Sequence, residues 1–326
     1  MKALHLVRPR HFEIVDVPAP ELPDGTSEFI LVKTSWVSLC GSDIPFFTGN
    51  KRYSRYPLLP GAPNHENVGH VIESRSKQFH PGDVVLAIPE SDCGLAEYHL
   101  AQAGKAIHLP PELARCDDSC LVQPFSTVLN AVDQLEDVRG KSIAVIGLGS
   151  IGLFFCWLLA KREAGYILGI DPLQHRCQIA EKLGASTTIP MRSNECVHSS
   201  RQGSGEWQPI DICIEAVGHQ TETLNDCIDL VRKQGTILAF GVPDQLVYPI
   251  EYETFFRKNA LLVAVVTPDW SDYLTHACDL YQQYRHELAW LVTHRLPIKE
   301  ATQAFTLYEH HESDILKVIL DASVWE

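Results

Sequence analysis

The run Ile143-Ala-Val-Ile-Gly-Leu-Gly-Ser-Ile-Gly152 constrains the fold of this chain more than any other stretch. A short apolar segment, read as a buried parallel strand, leads straight into Gly147-x-Gly149-x-x-Gly152, and Leu153 to Ala160 continues as apolar residues of good helix propensity. Strand, glycine turn and helix, in that order, are the context in which such a motif binds a dinucleotide. Gly147 permits the tight turn, Gly149 lets the backbone approach a pyrophosphate, and Gly152 lets helix and strand pack closely. Ser150 and Ile151 open the helix, whose N-terminus offers unpaired N–H groups and the positive end of its dipole to phosphate.

A second strand, Gly165-Tyr-Ile-Leu-Gly-Ile170, ends in Asp171. An acid about 20 residues past the glycines is placed to accept from the adenosine ribose 2′-OH. Its charge repels a 2′-phosphate, so the expected cofactor is NAD rather than NADP. Arg176 is expected to stack near the adenine or to pair with Asp171. Val217 and Gly241, each just past a later strand, complete the expected cofactor-binding set.

From residue 143 onward strands and helices alternate. Strands are expected at 143, 165, Ile210–Glu215, Thr236–Phe240 and Leu261–Val266, with a helix near Gln174–Leu183. Such alternation predicts a parallel sheet covered on both faces. Residues 1–110 read differently, as β-branched runs at Phe12–Val17, Phe29–Val37, Val68–Glu73 and Val84–Ile88 separated by Pro/Gly breaks. Helical spacing is read in 111–135, after Trp270 and again after Pro297, and Ile315–Leu320 is expected to close the chain as a strand. Ser193–Gln208 is polar and is expected to be a surface loop.

A length of 326 residues suggests two domains. The net charge of −14 argues against non-specific nucleic-acid binding. No apolar run reaches the ~20 residues of a membrane span, and the opening residues lack the apolar core of a secretory signal. The ten cysteines are scattered without a C-x-x-C pair, which fits a reducing cytoplasm.

Cys40-Gly41-Ser42-Asp43 follows a strand, and Asn64-His65-Glu66-Asn67 comes later. A thiolate, an imidazole and a carboxylate can together hold Zn²⁺, and a catalytic zinc keeps one position open. Taken singly, His65 reads as a structural histidine and Cys40 as a small buried hydrophobe. With these residues the chain resembles the zinc-dependent medium-chain alcohol/polyol dehydrogenases. The likeness runs through Cys40–Asp43, His65-Glu66-x-x-Gly69, Pro81-Gly-Asp-Val84, Ala96-Glu-Tyr98, Gln123-Pro124, the Gly147 motif, Leu183-Gly-Ala185, Glu215-Ala-Val-Gly218, Gly235-Thr-Ile237, Thr293–Pro297 and Lys317–Leu320.

The resemblance implies an α/β chain in which both ends (1–122 and 268–326) form a GroES-like β-rich catalytic domain. An NAD-binding Rossmann domain, a doubly wound parallel sheet, is inserted at 123–267. It implies one catalytic zinc on Cys40 and His65, with Glu66 a direct or outer ligand, and Ser42 bonded to a substrate hydroxyl. Three departures stand out. Between the segments at 84 and 96 only Ile88-Pro-Glu-Ser-Asp-Cys-Gly94 remains where relatives often carry a cysteine-rich lobe, so no structural zinc is expected. Gln123, a neutral amide, stands where relatives place a third ligand, so it or water completes the shell. Pro45 stands where many relatives carry a proton-passing histidine, which leaves Ser42, water or another histidine for that task.

The expected function is hydride transfer between NAD and a secondary hydroxyl of a polyol, sugar or related small alcohol. Two alternatives are a zinc-free reductase and an inactive dinucleotide binder of the same fold. His310-His311 reads as a solvated pair and Cys116 and Cys120 as packing thiols. Tyr53, Tyr56 and Trp270 are weaker candidates for lining a substrate pocket. The apolar strand at Leu261–Val266, an edge in this family, predicts at least a homodimer.

Overall fold

The computed structural model of the chain describes residues 1–25, 28–50, 55–201, 207–311 and 314–325. The chain divides into two compact units, Met1–Ser126 with Pro268–Glu326, and Thr127–Thr267. The first boundary between the units lies after Ser126, inside the helix Val122–Asp133.

The β-rich unit holds β1 (Lys2–Arg8), β2 (His11–Asp16), β3 (Phe29–Ser38), α1 (Ile44–Thr48), β4 (Glu66–Ser74), β5 (Val84–Ala87), β6 (Tyr98–Gln102) and β7 (Ala106–His108). α2 (Val122–Asp133) leads out of it. β1 and β2 form a hairpin. Among the described residues the main sheet has seven strands and is centred on β3, which pairs antiparallel with β4 and with β6. Phe12 on β2, Phe47 on α1 and Phe305 near the chain end meet with ring centroids 5.0–5.8 Å apart. Burying each ring contributes roughly 2–3 kcal/mol. The trio belongs to a core that also holds Leu39, so the segment between Leu39 and Phe47 is anchored at both ends.

The second unit runs β8 (Ser142–Ile146), α3 (Ser150–Lys161), β9 (Tyr166–Ile170), α4 (Gln174–Lys182), β10 (Thr187–Ile189), α5 (Ser193–Arg201), β11 (Ile210–Glu215), α6 (Glu222–Leu230), β12 (Val231–Ala239), α7 (Tyr252–Lys258) and β13 (Leu261–Ala264). Its six strands lie in the order β10-β9-β8-β11-β12-β13, all parallel. The sheet grows one way from β8 through β9 and the other way through β11, the doubly wound arrangement. Every residue of β8 is buried, as a strand covered on both faces requires. The chain then returns to the first unit with α8 (Trp270–Leu288), β14 (Val292–Pro297), α9 (Ala301–His310) and β15 (Lys317–Asp321). β15 pairs antiparallel with β3 and parallel with β14.

Two local expectations change. Residues 193–201 form α5 rather than a loop, because Cys196 and Val197 give an otherwise polar segment a buried side. Residues 202–206 of that stretch lie outside the described residues. In 111–135 a 3₁₀ turn, Asp117–Leu121, precedes α2, and Pro124 sits in the helix's first turn, where its missing N–H leaves no bond broken. Among the described residues no helix is long and apolar enough to cross a membrane.

Candidate functional site

β3 brings the metal-type ligands together through its register. Ser38, its last residue, lies opposite Glu66 on β4 and opposite Ile319 on β15. The chain leaves β3 through Leu39, whose amide donates to the Val318 carbonyl at 3.0 Å, and arrives at Cys40. One thiol, imidazole or carboxylate atom each from Cys40, His65 and Glu66 lies within 4.8 Å of the others, and among the described residues this is the one such group.

The turn after Cys40 holds the thiol in place. The Asp43 carboxylate accepts the Cys40 amide at 3.0 Å and the Asn64 side-chain amide at 3.2 Å. The same Asn64 amide donates to the Ser38 carbonyl at 2.7 Å, tying both ligand segments to the end of β3. His65 Nδ1 lies 3.8 Å from Asp43 and 3.8 Å from Asp92. Pro45 occupies the first turn of α1, where proline suits the helix start.

Glu66 is fully buried and is met by a buried cation that its own segment does not announce. Lys317 Nζ donates to Glu66 Oε2 at 2.6 Å and to the Leu39 carbonyl at 2.8 Å. Burial works against that ammonium, but the charge of Glu66, helped by Tyr308 and Cys40, outweighs it and raises the lysine pKa. Among the described residues, Glu66 Oε1 and Ser38 Oγ are buried without a hydrogen-bond partner. Unpaired polar atoms are costly in a protein interior. A carboxylate oxygen left open beside a thiol and an imidazole is a donor set that suits zinc, so the residues present fit such an ion. Burial, and then the charge of Glu66, push the Cys40 thiol up to about 11, while Lys317 and Ser42 act against them. Buried Asp43 is likewise raised well above the carboxylate range, first by burial, with His65 opposing.

In the second unit the glycine turn is built as its sequence pattern predicts. Gly147 has φ +89°, and a Cβ there would sit 2.7 Å from Val217 Cγ2. A Cβ on Gly152 would lie 1.8 Å from the Gly147 carbonyl oxygen, so the first turn of α3 packs directly on the strand end. Gly149 is open, with only the Arg176 guanidinium within 4 Å of its added Cβ, which leaves the backbone accessible to a phosphate. Ser150 and Ile151 are the first residues of α3.

Asp171 is buried at the end of β9. It accepts the Leu148 amide at 2.8 Å and the Leu173 amide at 2.9 Å, and Arg176 Nη1 lies 3.7 Å from it. The acid therefore braces the glycine turn and pairs with Arg176. Glu215 does comparable work beside it. One of its oxygens accepts the Val217 and Gly218 amides and the Thr223 hydroxyl, each at 3.0 Å. Its other oxygen lies 2.3 Å from where a Gly241 Cβ would stand. Gly147, Val217 and Gly241 thus meet at the ends of β8, β11 and β12, the switch point where open parallel sheets bind ligands.

Gln123 is buried at the start of α2. Tyr53 falls outside the described residues, Tyr56 donates to the Phe46 carbonyl and packs on the core, and Trp270 opens α8. Sequence reasoning missed Lys317, Asp43, Asn64, Asp92 and Glu215. Lys317 did leave a signal: it is the one charged residue in the run Ile315-Leu-Lys-Val-Ile-Leu320, and a charge inside a buried strand requires a buried partner.

The fold and this cluster define a two-unit chain with a zinc-type ligand set in one unit and a dinucleotide-type glycine turn in the other. Residues 116–321 match the family described as glucose dehydrogenase C-terminus, and residues 26–111 match the alcohol dehydrogenase GroES-like domain. The chain belongs to the zinc-dependent medium-chain dehydrogenase/reductase family. It is 25% identical to an L-threonine 3-dehydrogenase of Caldanaerobacter subterraneus, covering 84% of this chain and 92% of the relative. It is also 25% identical to a sorbitol dehydrogenase of Bacillus subtilis, covering 77% of each. The solved alcohol dehydrogenase of Thermus sp. ATN1 superposes with a TM-score of 0.82 at 25% identity, over 99% of this chain and 100% of that one.

Proposed function

We propose that this protein is an NAD-dependent, single-zinc dehydrogenase that interconverts a secondary hydroxyl of a polyol, sugar or related small alcohol with its carbonyl. The observation that carries this reading is the convergence of Cys40, His65 and Glu66 with one buried carboxylate oxygen unpaired. Relatives named for sorbitol and L-threonine support a small hydroxylated substrate.

Cys40, His65 and Glu66, through its open oxygen, are the proposed zinc ligands, with the Gln123 amide or a water as the fourth. A zinc ion held there would supply Lewis-acid polarisation of the substrate oxygen, and a bound NAD would supply the hydride acceptor. Lys317 alters the charge count. A Cys40 thiolate and Glu66 would balance a divalent ion, but the buried ammonium adds a positive surplus, which lowers the cost of removing a proton from a substrate hydroxyl. Ser42, whose buried hydroxyl lies beside the Cys40 thiol, bonds that hydroxyl and hands its proton toward solvent, since Pro45 cannot titrate. No structural zinc accompanies the catalytic ion, because the short segment at 88–94 has one cysteine.

Gly147, Gly149, Ser150, Ile151 and Gly152 hold the pyrophosphate. Val217 and Gly241 line the same ligand, and Asp171 with Arg176 faces the adenosine ribose, where the acid selects NAD. β13 is an exposed apolar edge, with Leu261 56% exposed, and its pairing with a second copy makes the protein at least a homodimer.

A panel of polyols, sugars and simple alcohols, offered to zinc-loaded protein with NAD⁺ or NADP⁺ and read by reduced-nicotinamide absorbance, tests the reading beside metal analysis. The expected result is about one zinc per chain and turnover with NAD⁺. Full turnover by metal-free protein, or tight NADH binding with no turnover across the panel, overturns it.

A further inference from the structure

The segment between β5 and β6 contains two consecutive non-glycine residues in the left-handed region, Ser91 at φ 56° and Asp92 at φ 53°. L-residues are held in that conformation only where the surroundings fix it. The fastening is visible. The Asn64 amide donates to the Asp92 carbonyl at 2.7 Å, the Gly94 amide donates to the Asn64 carbonyl at 3.1 Å, and Asn67 Nδ2 donates to the Gly94 carbonyl at 2.8 Å. The segment is therefore bound to the very residues that flank His65. Its consequence is that the Asp92 carboxylate stands 3.8 Å from His65 Nδ1, the nitrogen that also faces Asp43 at 3.8 Å.

Resting on the reading of Cys40, His65 and Glu66 as metal ligands, we infer that Asp92 is a positioning residue for His65. It supplies a second carboxylate at Nδ1, holds the ring N–H on that nitrogen, and so leaves the Nε2 lone pair for the metal. A ligating histidine needs such an acceptor, since the bond made by one ring nitrogen fixes the role of the other. Asp43 serves this need in part only. One of its oxygens is committed to the Cys40 amide and the Asn64 side chain, so it cannot follow the imidazole as the ring turns. Asp92, 59% exposed at its side chain, has no such commitment among the described residues and can close the remaining distance. The shortened loop thus places a carboxylate beside the metal ligand.

The test uses the full-length protein, zinc and a chromophoric chelator. Asp92→Asn and Asp92→Ala are expected to weaken zinc binding about tenfold, the lower end of the range for outer partners of metal ligands, because the acid is solvent-exposed. Asp92→Glu is expected to recover most of that loss. The gap between wild type and Asp92→Asn should narrow at about 1 M salt, where exposed charges are screened, a response that a purely structural role would not give. In ¹⁵N-imidazole spectra of the wild-type zinc form, His65 should carry its proton on Nδ1, and Asp92→Asn should shift that resonance. Equal zinc affinity in wild type and Asp92→Asn, or zinc on Nδ1 in the wild type, overturns this inference alone. A wild-type chain that takes up no zinc overturns it together with the proposed function.

Discussion

The glycine turn at 147–152 makes its site from atoms that are missing, whereas the cluster at Cys40, His65 and Glu66 makes its site from atoms that each side chain carries. In the turn, Gly147 and Gly152 leave room for close backbone contact, and the groups proposed to face a ligand are amides that every sequence has. In the cluster, a thiol, an imidazole and a carboxylate come from separated parts of the chain, and a lysine from near its end balances them. The first arrangement is local and tolerates no added volume. The second is non-local, tolerates some change of shape, and depends on the sum of its charges.

Crossed substitutions put the contrast at its greatest. Cys40→Ser removes the one proposed sulfur ligand and is expected to lose bound zinc and at least about 1,000-fold in turnover, the several kcal/mol a Lewis acid supplies. NADH binding, followed by fluorescence, should be unchanged. Gly152→Val forces atoms into the Gly147 carbonyl, already 1.8 Å from a single added Cβ, and should abolish NADH binding while zinc content stays near wild type. If either variant loses both ligands, the two sites are not independent and the comparison breaks.

How much could be read beforehand follows from the same contrast. Gly147-x-Gly149-x-x-Gly152 and Asp171 are legible because strand, turn and helix are contiguous, so spacing alone carries the geometry. Even there the bracing of the turn by the Asp171 carboxylate, through the Leu148 amide, was not legible, because an acid at a strand end reads the same whether it faces a ribose or its own backbone. Cys40, His65 and Glu66 were found through family likeness more than through spacing. Lys317 carries no legible role in its sequence stretch, since only the β3–β15 register reveals that it reaches Glu66. Asp92 was invisible, because two left-handed residues cannot be read from Ser-Asp. The alternating strands were clear, but β7 and β10, three residues each, fall below the length at which a period shows.

Lys317 sharpens the electrostatic half of the comparison. Lys317→Met leaves the Glu66 carboxylate buried and uncompensated, which costs about 3–5 kcal/mol when one partner of such a pair is removed. Thermal melting of the metal-free protein should show that loss. Zinc-loaded protein should show a smaller one, because the ion replaces part of the missing positive charge. Glu66→Gln combined with Lys317→Met should recover stability relative to Lys317→Met alone, and a double variant that is no more stable would mean that packing rather than charge explains the effect.

The β-rich unit also carries an acid sensitivity. Burial holds His99 neutral, with its pKa lowered to about 3, and its Nδ1 meets the Thr34 hydroxyl at 3.0 Å. An unfolded histidine takes up its proton near 6.5, so between roughly 6.5 and 3 the unfolded chain binds more protons than the folded one. Stability from this residue is complete above that window and falls with pH inside it, by about 2 kcal/mol at pH 5. Buried Asp43, with its raised pKa, acts in the opposite sense, so the telling quantity is the difference between wild type and His99→Gln. Denaturant midpoints at pH 7 and pH 5 should converge for the two proteins as the pH falls. Parallel pH dependence would remove His99 from the account.

The smallest effect asks whether the turn is read by shape alone. Asp171→Asn keeps the volume and one acceptor oxygen but removes the charge that stands beside Arg176. The loop can still receive the Leu148 or the Leu173 amide, so the fold of the unit should hold. With the charge gone, the carboxylate no longer repels a 2′-phosphate beside the Arg176 guanidinium, which strengthens NADP relative to NAD. The ratio of kcat/KM for NAD⁺ over that for NADP⁺ is expected to drop about tenfold, equivalent to about 1.4 kcal/mol. An unchanged ratio with weaker binding of both cofactors would show that Asp171 serves the turn's backbone and not the choice of nucleotide. In that event a carboxylate in this unit acts through the glycines, by geometry, while the carboxylate at Glu66 acts through charge.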